Sequence, residues 1–294
     1  MKKLLFIILL QPFFVLAQDD LLNELEAGVE VDNTVSSAFK GLKIVNFEST
    51  KLAGDKDLFF IVSHRFGTVK NGFDDFFGLD NAVTQLKFIY GITDGINIGV
   101  ARSSFQKKYG IHAKYRLLQQ EKDGFPFTIV GYNLVTINTA LDKDLLPNLE
   151  FSDRVNYVNQ ILISRKFSED FSFLIAPTHV HENLATRSFV EISDTEFENY
   201  DEENNQFAIG VGGRYKLTKR WSLNMDYGIH LNRNSNSIFK NPLSIGVDLE
   251  TGGHVFQMHF TNAQGMFEDG FIVQGQGDWG DGDFFFGFNL SRVF

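Results

Sequence analysis

The sequence predicts an all-β chain: a transmembrane antiparallel β-barrel of about twelve strands, with fourteen as the alternative count. A short N-terminal segment, periplasmic or folded into the lumen as a plug, precedes it. Three observations carry this expectation. Segments alternate between apolar and small or polar residues with a period of two. Short and long connections largely alternate along the chain, as the turns and loops of an outer-membrane barrel do. An export signal stands at the N-terminus, and no later run approaches the ~20 apolar residues of a helical span.

The chain of 294 residues has no Cys, which removes disulfides and thiolate metal sites. Its 32 Phe and 26 Gly against only 5 Pro suit long strands and tight turns. A net charge of -10 excludes the basic stripe of a nucleic-acid binder.

"MKKLLFIILLQPFFVLAQDD" joins Lys2 and Lys3 to an apolar run and to Ala17 before Gln18. This is the pattern of a signal peptide over 1–17, cleaved near Ala17. The run is short for a membrane helix and is interrupted by Gln11 and Pro12. Residues 18–55 form the second segment, in which "DDLLNELEAG" offers a short amphipathic helix at best. The barrel occupies 56–294.

Along the barrel, Asp57 to Phe66 begins the strands and is apolar on both faces. "QLKFIYGI" sets Leu86, Phe88, Tyr90 and Ile92 opposite Gln85, Lys87 and Gly91, with Ile89 as the exception. "INIGVA" and "GIHAKYRL" follow, the latter with Ile111, Tyr115 and Leu117 opposite His112, Lys114 and Arg116. Phe125 to Asn138 again fixes no orientation. "FAIGVGGRYKL" places Arg214 and Lys216 on its polar face. "WSLNMDYGIHLN" alternates without fault, Trp221, Leu223, Met225, Tyr227 and Ile229 against Ser222, Asn224, Asp226, Gly228 and His230. In "HVFQMHF" the polar face carries Gln257 and His259. The wet face of a soluble sandwich is typically rich in Lys, Glu and Thr. Here it is largely Gly, Ala, Ser, Asn and His, with scattered charges, which suits a crowded interior wall, so the dry face meets lipid and the wet face lines the lumen. A soluble periplasmic β-sandwich is the runner-up. Tyr115, Tyr215, Trp221 and Tyr227 fall near segment ends, where aromatic girdles sit.

Short connections include Thr93 to Gly95, Glu121 to Gly124, Ser168 to Asp170 and Thr251 to Gly253. Long ones include Gly67 to Asn81, Ala140 to Ser152, Glu182 to Asn205 and Ala263 to Trp279, all expected on the outside. Ser103 to Lys108 is only moderate where a long loop is expected. Strands at Lys43 to Thr50 and Phe271 to Gln276 would make fourteen, but would put most long loops on the periplasmic side, so both are left out. The chain ends "FFFGFNLSRVF", with Phe286, Phe288, Leu290 and Phe294 on one face; this resembles the C-terminal signal read by the barrel-insertion machinery, although Arg292 stands where an aromatic is preferred.

"SSAFKGLKIVNFEST", "SHRFG", "FFGLDNA", "YGITD" and "RSSFQK" resemble the recurring segments of a β-barrel family of unknown function found in Bacteroidota. The resemblance covers nearly all of the mature chain. It implies a barrel in the outer membrane of a Gram-negative bacterium, and no substrate or catalytic residue.

Candidate chemistry is sparse. His179 and His181 in "THVHEN" share a strand face, but a chelate needs a third ligand from another strand. No G-x-S-x-G occurs, and Ser63 and His64 are strand neighbours that point to opposite faces. Asp278, Asp281 and Asp283 are weak candidates for Ca²⁺, equally explained as an Asp-Gly turn. Glu191 to Asn204, rich in acids, reads as a solvated loop. Lys114, Arg116, Arg214 and Lys216 precede short turns and would ring the periplasmic mouth, favouring anions; alternatively they pair with Asp226 and with Asp19, Asp20, Glu24 and Glu26. The lumenal polar set is His112, Asn224, Asp226, His230, Gln257 and His259. The expected role is a small pore or solute-uptake channel with an anion preference; a non-conducting structural or assembly barrel and a membrane-embedded hydrolase are the alternatives. Expected partners are outer-membrane lipid, lipopolysaccharide and the insertion machinery, with no nucleic acid and no cofactor.

Overall fold

A computed structural model describes residues 33–185, 187–193 and 196–294, with side chains excluded from 186 to 200. The signal peptide and residues 18–32, where a short amphipathic helix is expected, lie outside the described residues, as do most side chains of the acidic run. The strands are β1 (Leu58–Thr68), β2 (Ala82–Thr93), β3 (Ile96–Ser103), β4 (Lys108–Leu118), β5 (Thr128–Asn138), β6 (Val155–Lys166) and β7 (Phe171–Glu182). After them come β8 (Arg187–Ser193), β9 (Glu196–Asp201), β10 (Asn205–Lys216), β11 (Trp221–His230), β12 (Leu243–Thr251), β13 (His254–Thr261) and β14 (Phe285–Val293). A short α-helix, α1 (Glu268–Phe271), lies between β13 and β14.

All strands but β8 and β9 pair in order around a closed antiparallel barrel of twelve, and β1 completes the ring with β14 through Phe59↔Val293 to Arg65↔Gly287. The backbones of Leu58 and Phe294 exchange hydrogen bonds at the seam, 3.3 and 2.9 Å. β8 and β9 form a separate hairpin within the β7–β10 connection; the sequence reading takes that stretch as a plain loop.

The two ends differ. One, the turn end, carries the start of β1, the end of β14 and brief links such as Asp94–Gly95 and Gly252–Gly253. The other, the loop end, carries 69–81, 139–154, 183–204 and 231–242. Moderate 104–107 is again the exception.

Sidedness follows the period of two. In β11, Leu223, Met225 and Ile229 are exposed on the outer wall, while Ser222, Asn224, Asp226 and His230 are buried inside. In β2 the inward set is Gln85, Lys87 and Ile89. Outward apolar side chains meet hydrocarbon, which cannot satisfy polar groups, and the ladder satisfies the backbone. Inside, the wall is not uniform. β5, β6 and β7 present Val130, Leu134, Val158, Leu162, Leu174 and Val180, a hydrophobic core where a water-filled bore would have polar residues.

Candidate functional site

That apolar wall needs a partner, and two inserts supply it. The first is the chain before β1: Gly41 to Thr50 are ten consecutive buried residues. They fold as a tight hairpin, closed by Ile44 N–H to Phe47 O at 2.8 Å and Ser49 N–H to Leu42 O at 2.9 Å. The second is the β13–β14 connection, where Gly265 to Gly275, including α1, are likewise buried. The expectation that Ala263 to Trp279 is an outside loop is therefore corrected. Met266, Phe267, Phe271, Ile272 and Val273 are too apolar to stay in water, so the segment turns inward and its Phe271 ring meets Phe47 edge-on at 4.9 Å. Lys43 to Thr50 and Phe271 to Gln276, weighed as possible extra strands, belong to these inserts and not to the barrel.

The wall is shaped to receive them. Gly210 lies under the Phe47 ring, Gly212 under Ile44 and Gly110 under Phe267, where a Cβ would run into the insert; Gly228 lies under Pro242 and the edge of Phe47. These glycines of the wet face are thus sockets for the inserts.

Polar contacts fix the hairpin tip. Asp226 Oδ2 accepts from three successive backbone N–H groups, Val45 at 3.0 Å, Asn46 at 2.7 Å and Phe47 at 3.1 Å. Such a concave run of N–H donors is a ready anion cradle. The Asn46 amide donates to Ser244 and Thr261 at 3.0 and 2.9 Å and accepts from Arg65 at 2.9 Å. Gln257 donates to the Lys43 and Ile44 carbonyls.

Below the tip, Glu48 is the hub. Its carboxylate accepts from Lys87 at 3.0 Å and Lys114 at 3.1 Å, with Lys43 at 3.6 Å. Burial pushes this carboxyl up, but Lys87, Lys114 and Lys43 outweigh burial and hold it well below the usual carboxylate range. Burial, aided by Lys87, lowers the Lys43 ammonium. Lys43 also lies 3.8 Å from Glu268, so the two inserts touch through charge as well as through rings. Burial raises Glu268, partly offset by Lys43. On the second insert, Asp269 Oδ2 takes Lys108 at 2.7 Å, Thr136 at 2.6 Å and Asn156 at 2.8 Å. Burial raises this carboxyl, but Lys108 and those donors bring it below its ordinary value.

The expected lumenal residues lie as follows. His112, Asn224, Asp226, His230, Gln257 and His259 are all buried inside. Of the basic set, Lys114 is buried against Glu48, Arg214 donates to Ser222 at 3.0 Å, Arg116 donates to Gln119 at 2.9 Å, and Lys216 is half-buried at the turn end. Lys114 pairs with Glu48, Asp226 is taken up by the hairpin N–H groups, and Asp19, Asp20, Glu24 and Glu26 lie outside the described residues. The chain before β1 has no strand period, so its spacing carried no signal. His179 and His181 face outward. Glu202 of the acidic run is buried and accepts from Asn234 N–H, which corrects the solvated reading at that position. Asp278 accepts from Gly280 N–H at 2.8 Å and pairs with Lys240. Among the described residues, no three His, Asp or Glu side chains cluster as a metal site. Phe286, Phe288 and Leu290 are half-buried on β14, and Phe294 is exposed beside the seam.

A closed barrel with an apolar outer face and a filled bore defines a membrane β-barrel protein. Residues 39–294 match the family described as "Membrane bound beta barrel domain (DUF5777)", and the chain belongs to that family. The match starts at Phe39, so it takes in the first insert as well as the strands. No curated protein matches the chain in sequence. Among solved structures, it is similar to the NanC porin (10% identity, TM-score 0.49, covering 81% of this chain and 98% of that one). It is also similar to the KdgM porin in complex with disordered oligogalacturonate (7%, TM-score 0.46, 81% and 99%). A third is a Rhodopseudomonas blastica porin triple mutant (9%, TM-score 0.32, 72% and 55%).

Proposed function

We propose that the protein is a gated solute channel of the outer membrane, closed in the described state by its two inserts, with the turn end facing the periplasm. One observation carries the reading: Glu48 and Asp269, one acid on each insert, are held by lysines of the wall. Glu48 is held by Lys87 of β2 and Lys114 of β4, and Asp269 by Lys108 of β4. Withdrawing the first hairpin leaves Lys87, Lys114 and Arg65 facing the bore against Asp226, with Arg116, Arg214 and Lys216 toward the turn end. Basic groups in a narrow, weakly screened passage favour anions. A hydrolase has little support: Ser63 is buried inside β1 and His64 points outward.

The non-conducting structural barrel is the second reading. It is favoured by the hydrophobic core that Phe47 and Phe271 form with β5 to β7, which resembles a permanent interior. Planar bilayers under a KCl gradient separate the two. Wild type is expected to be silent, and a variant lacking Gln18 to Thr50 to conduct with an anion-selective reversal potential that fades as salt rises. If that variant is heat-modifiable, hence folded, and still silent, the structural reading stands. Cation-selective openings would end the anion preference.

A further inference from the structure

We infer that the outer face of β5, β6, β7 and β10 is a contact between two copies of this chain within the membrane. A continuous polar ladder runs across that face. Tyr115 Oη donates to Asn133 at 3.0 Å, Asn133 donates to Asn159 at 2.6 Å, and Asn159 Nδ2 lies 3.4 Å from His179 Nδ1. Asn205 Oδ1 then receives His179 at 3.1 Å and His181 at 2.9 Å. The register places these residues side by side, Asn133↔Asn159, Asn159↔His179 and Asn205↔His181.

The ladder stands inside the apolar band. Asn133 is at the middle of β5, and exposed Val135 and Tyr157 lie on its loop side, as exposed Ile161 and Ile175 lie on its turn side. The ladder climbs from there to the loop-end rim at Asn205. Hydrocarbon offers no partner to a polar group. Each amide has two N–H donors, and Asn133 and Asn159 each spend one on the ladder. Among the described residues, the outer wall elsewhere carries no such ladder: β2, β11 and β13 present mostly Leu, Phe, Ile and Met there, and the ring of outward His64 of β1 hydrogen-bonds to Thr84 alone.

The backbone is open at the same place. The β6–β7 register runs to Gln160↔Thr178 and resumes at Ile163↔Ile175, and the gap falls opposite Pro177, which has no N–H to give. A groove of about 460 Å³ lies over this spot, between Asn133, Asn159, Pro177, His179 and Phe207.

The chemistry selects the occupant. No Lys, Arg, Asp or Glu stands in the ladder, so an anionic lipid headgroup finds no counter-charge, and Asn133 lies too deep for headgroups. Asn, His and Tyr both donate and accept. A surface of that kind is complementary to itself, which is what a two-fold contact requires, and amide and imidazole side chains are established glue between membrane segments.

The chain has no Cys, so single-Cys variants report cleanly. In native membranes under oxidant, Asn159→Cys is expected to cross-link into a dimer, and Phe288→Cys, half a circumference away on β14, is not. Native mass spectrometry of wild type in nanodiscs should show a dimer. The triple variant Asn133→Leu, Asn159→Leu, His179→Leu, still heat-modifiable, should be monomeric. A monomeric wild type, equal cross-linking at both positions, or a triple variant that stays dimeric would overturn the inference.

Discussion

Asp226 shows what a single lumenal carboxylate does here. It points inward from β11 and gathers the N–H groups of Val45, Asn46 and Phe47, which a tight hairpin tip would otherwise leave unpaired. Its position was legible, because "WSLNMDYGIHLN" alternates so cleanly that the inward register of Asp226 could be read directly. Its partner was not legible, since backbone donors leave no mark in a sequence. Glu48 is the harder case: nothing in "KIVNFEST" distinguishes an acid bound for three buried lysines from one in solvent. Removing one member of a buried charge cluster leaves the others unpaired, at a cost of about 3–5 kcal/mol. Glu48→Gln is therefore expected to destabilise by that order in urea unfolding in bilayers. A change below about 1 kcal/mol, the range of exposed pairs, would contradict the geometry.

At the scale of elements, the strand pattern predicts both count and sidedness because the lipid face and the wall alternate residue by residue. The inserts escape that logic. Ala263 to Trp279 was expected outside on length alone, whereas its apolar content, Phe267 and Phe271 to Val273, is what sends it inward. The β8–β9 hairpin also escaped, its acids masking a strand pair. At the C-terminus the element and the residue can be separated. Phe294 closes the seam through its backbone, while its side chain is exposed. Phe294→Ala keeps those backbone bonds, so refolded stability should change by less than about 0.5 kcal/mol, as for surface substitutions. If the ring is the insertion signal, the level of the variant in the outer membrane should nonetheless fall several-fold on immunoblots of membrane fractions. An unchanged level would mean that the terminal aromatic is a plain strand residue.

At the scale of the whole molecule, the two inserts lock each other. The hairpin enters from the turn end, the β13–β14 connection from the loop end, and they meet at Lys43, Glu268, Phe47 and Phe271. Closure is thus both apolar and ionic, and the ionic part has a pH signature. Glu48 and Asp269 have values depressed in the folded state, so the stability they contribute is fully present above the ordinary carboxylate range, about 4. It is lost as pH falls from there through their depressed values. Glu268 has the opposite sign: its raised value means that its charged form is the costly one, and protonation in mild acid relieves it. Closure should therefore hold, or strengthen slightly, between neutral pH and about 5, and weaken only below about 4. A gated channel should then open in planar bilayers on acidification below about 4 and reseal on return to neutral pH. Glu48→Gln, which removes the charge permanently, should open at neutral pH and lose most of the acid response. Acid opening that is identical in wild type and Glu48→Gln would place the switch elsewhere. Silence in both, with the barrel still folded, would mean that the Phe47–Phe271 core alone keeps the lumen shut.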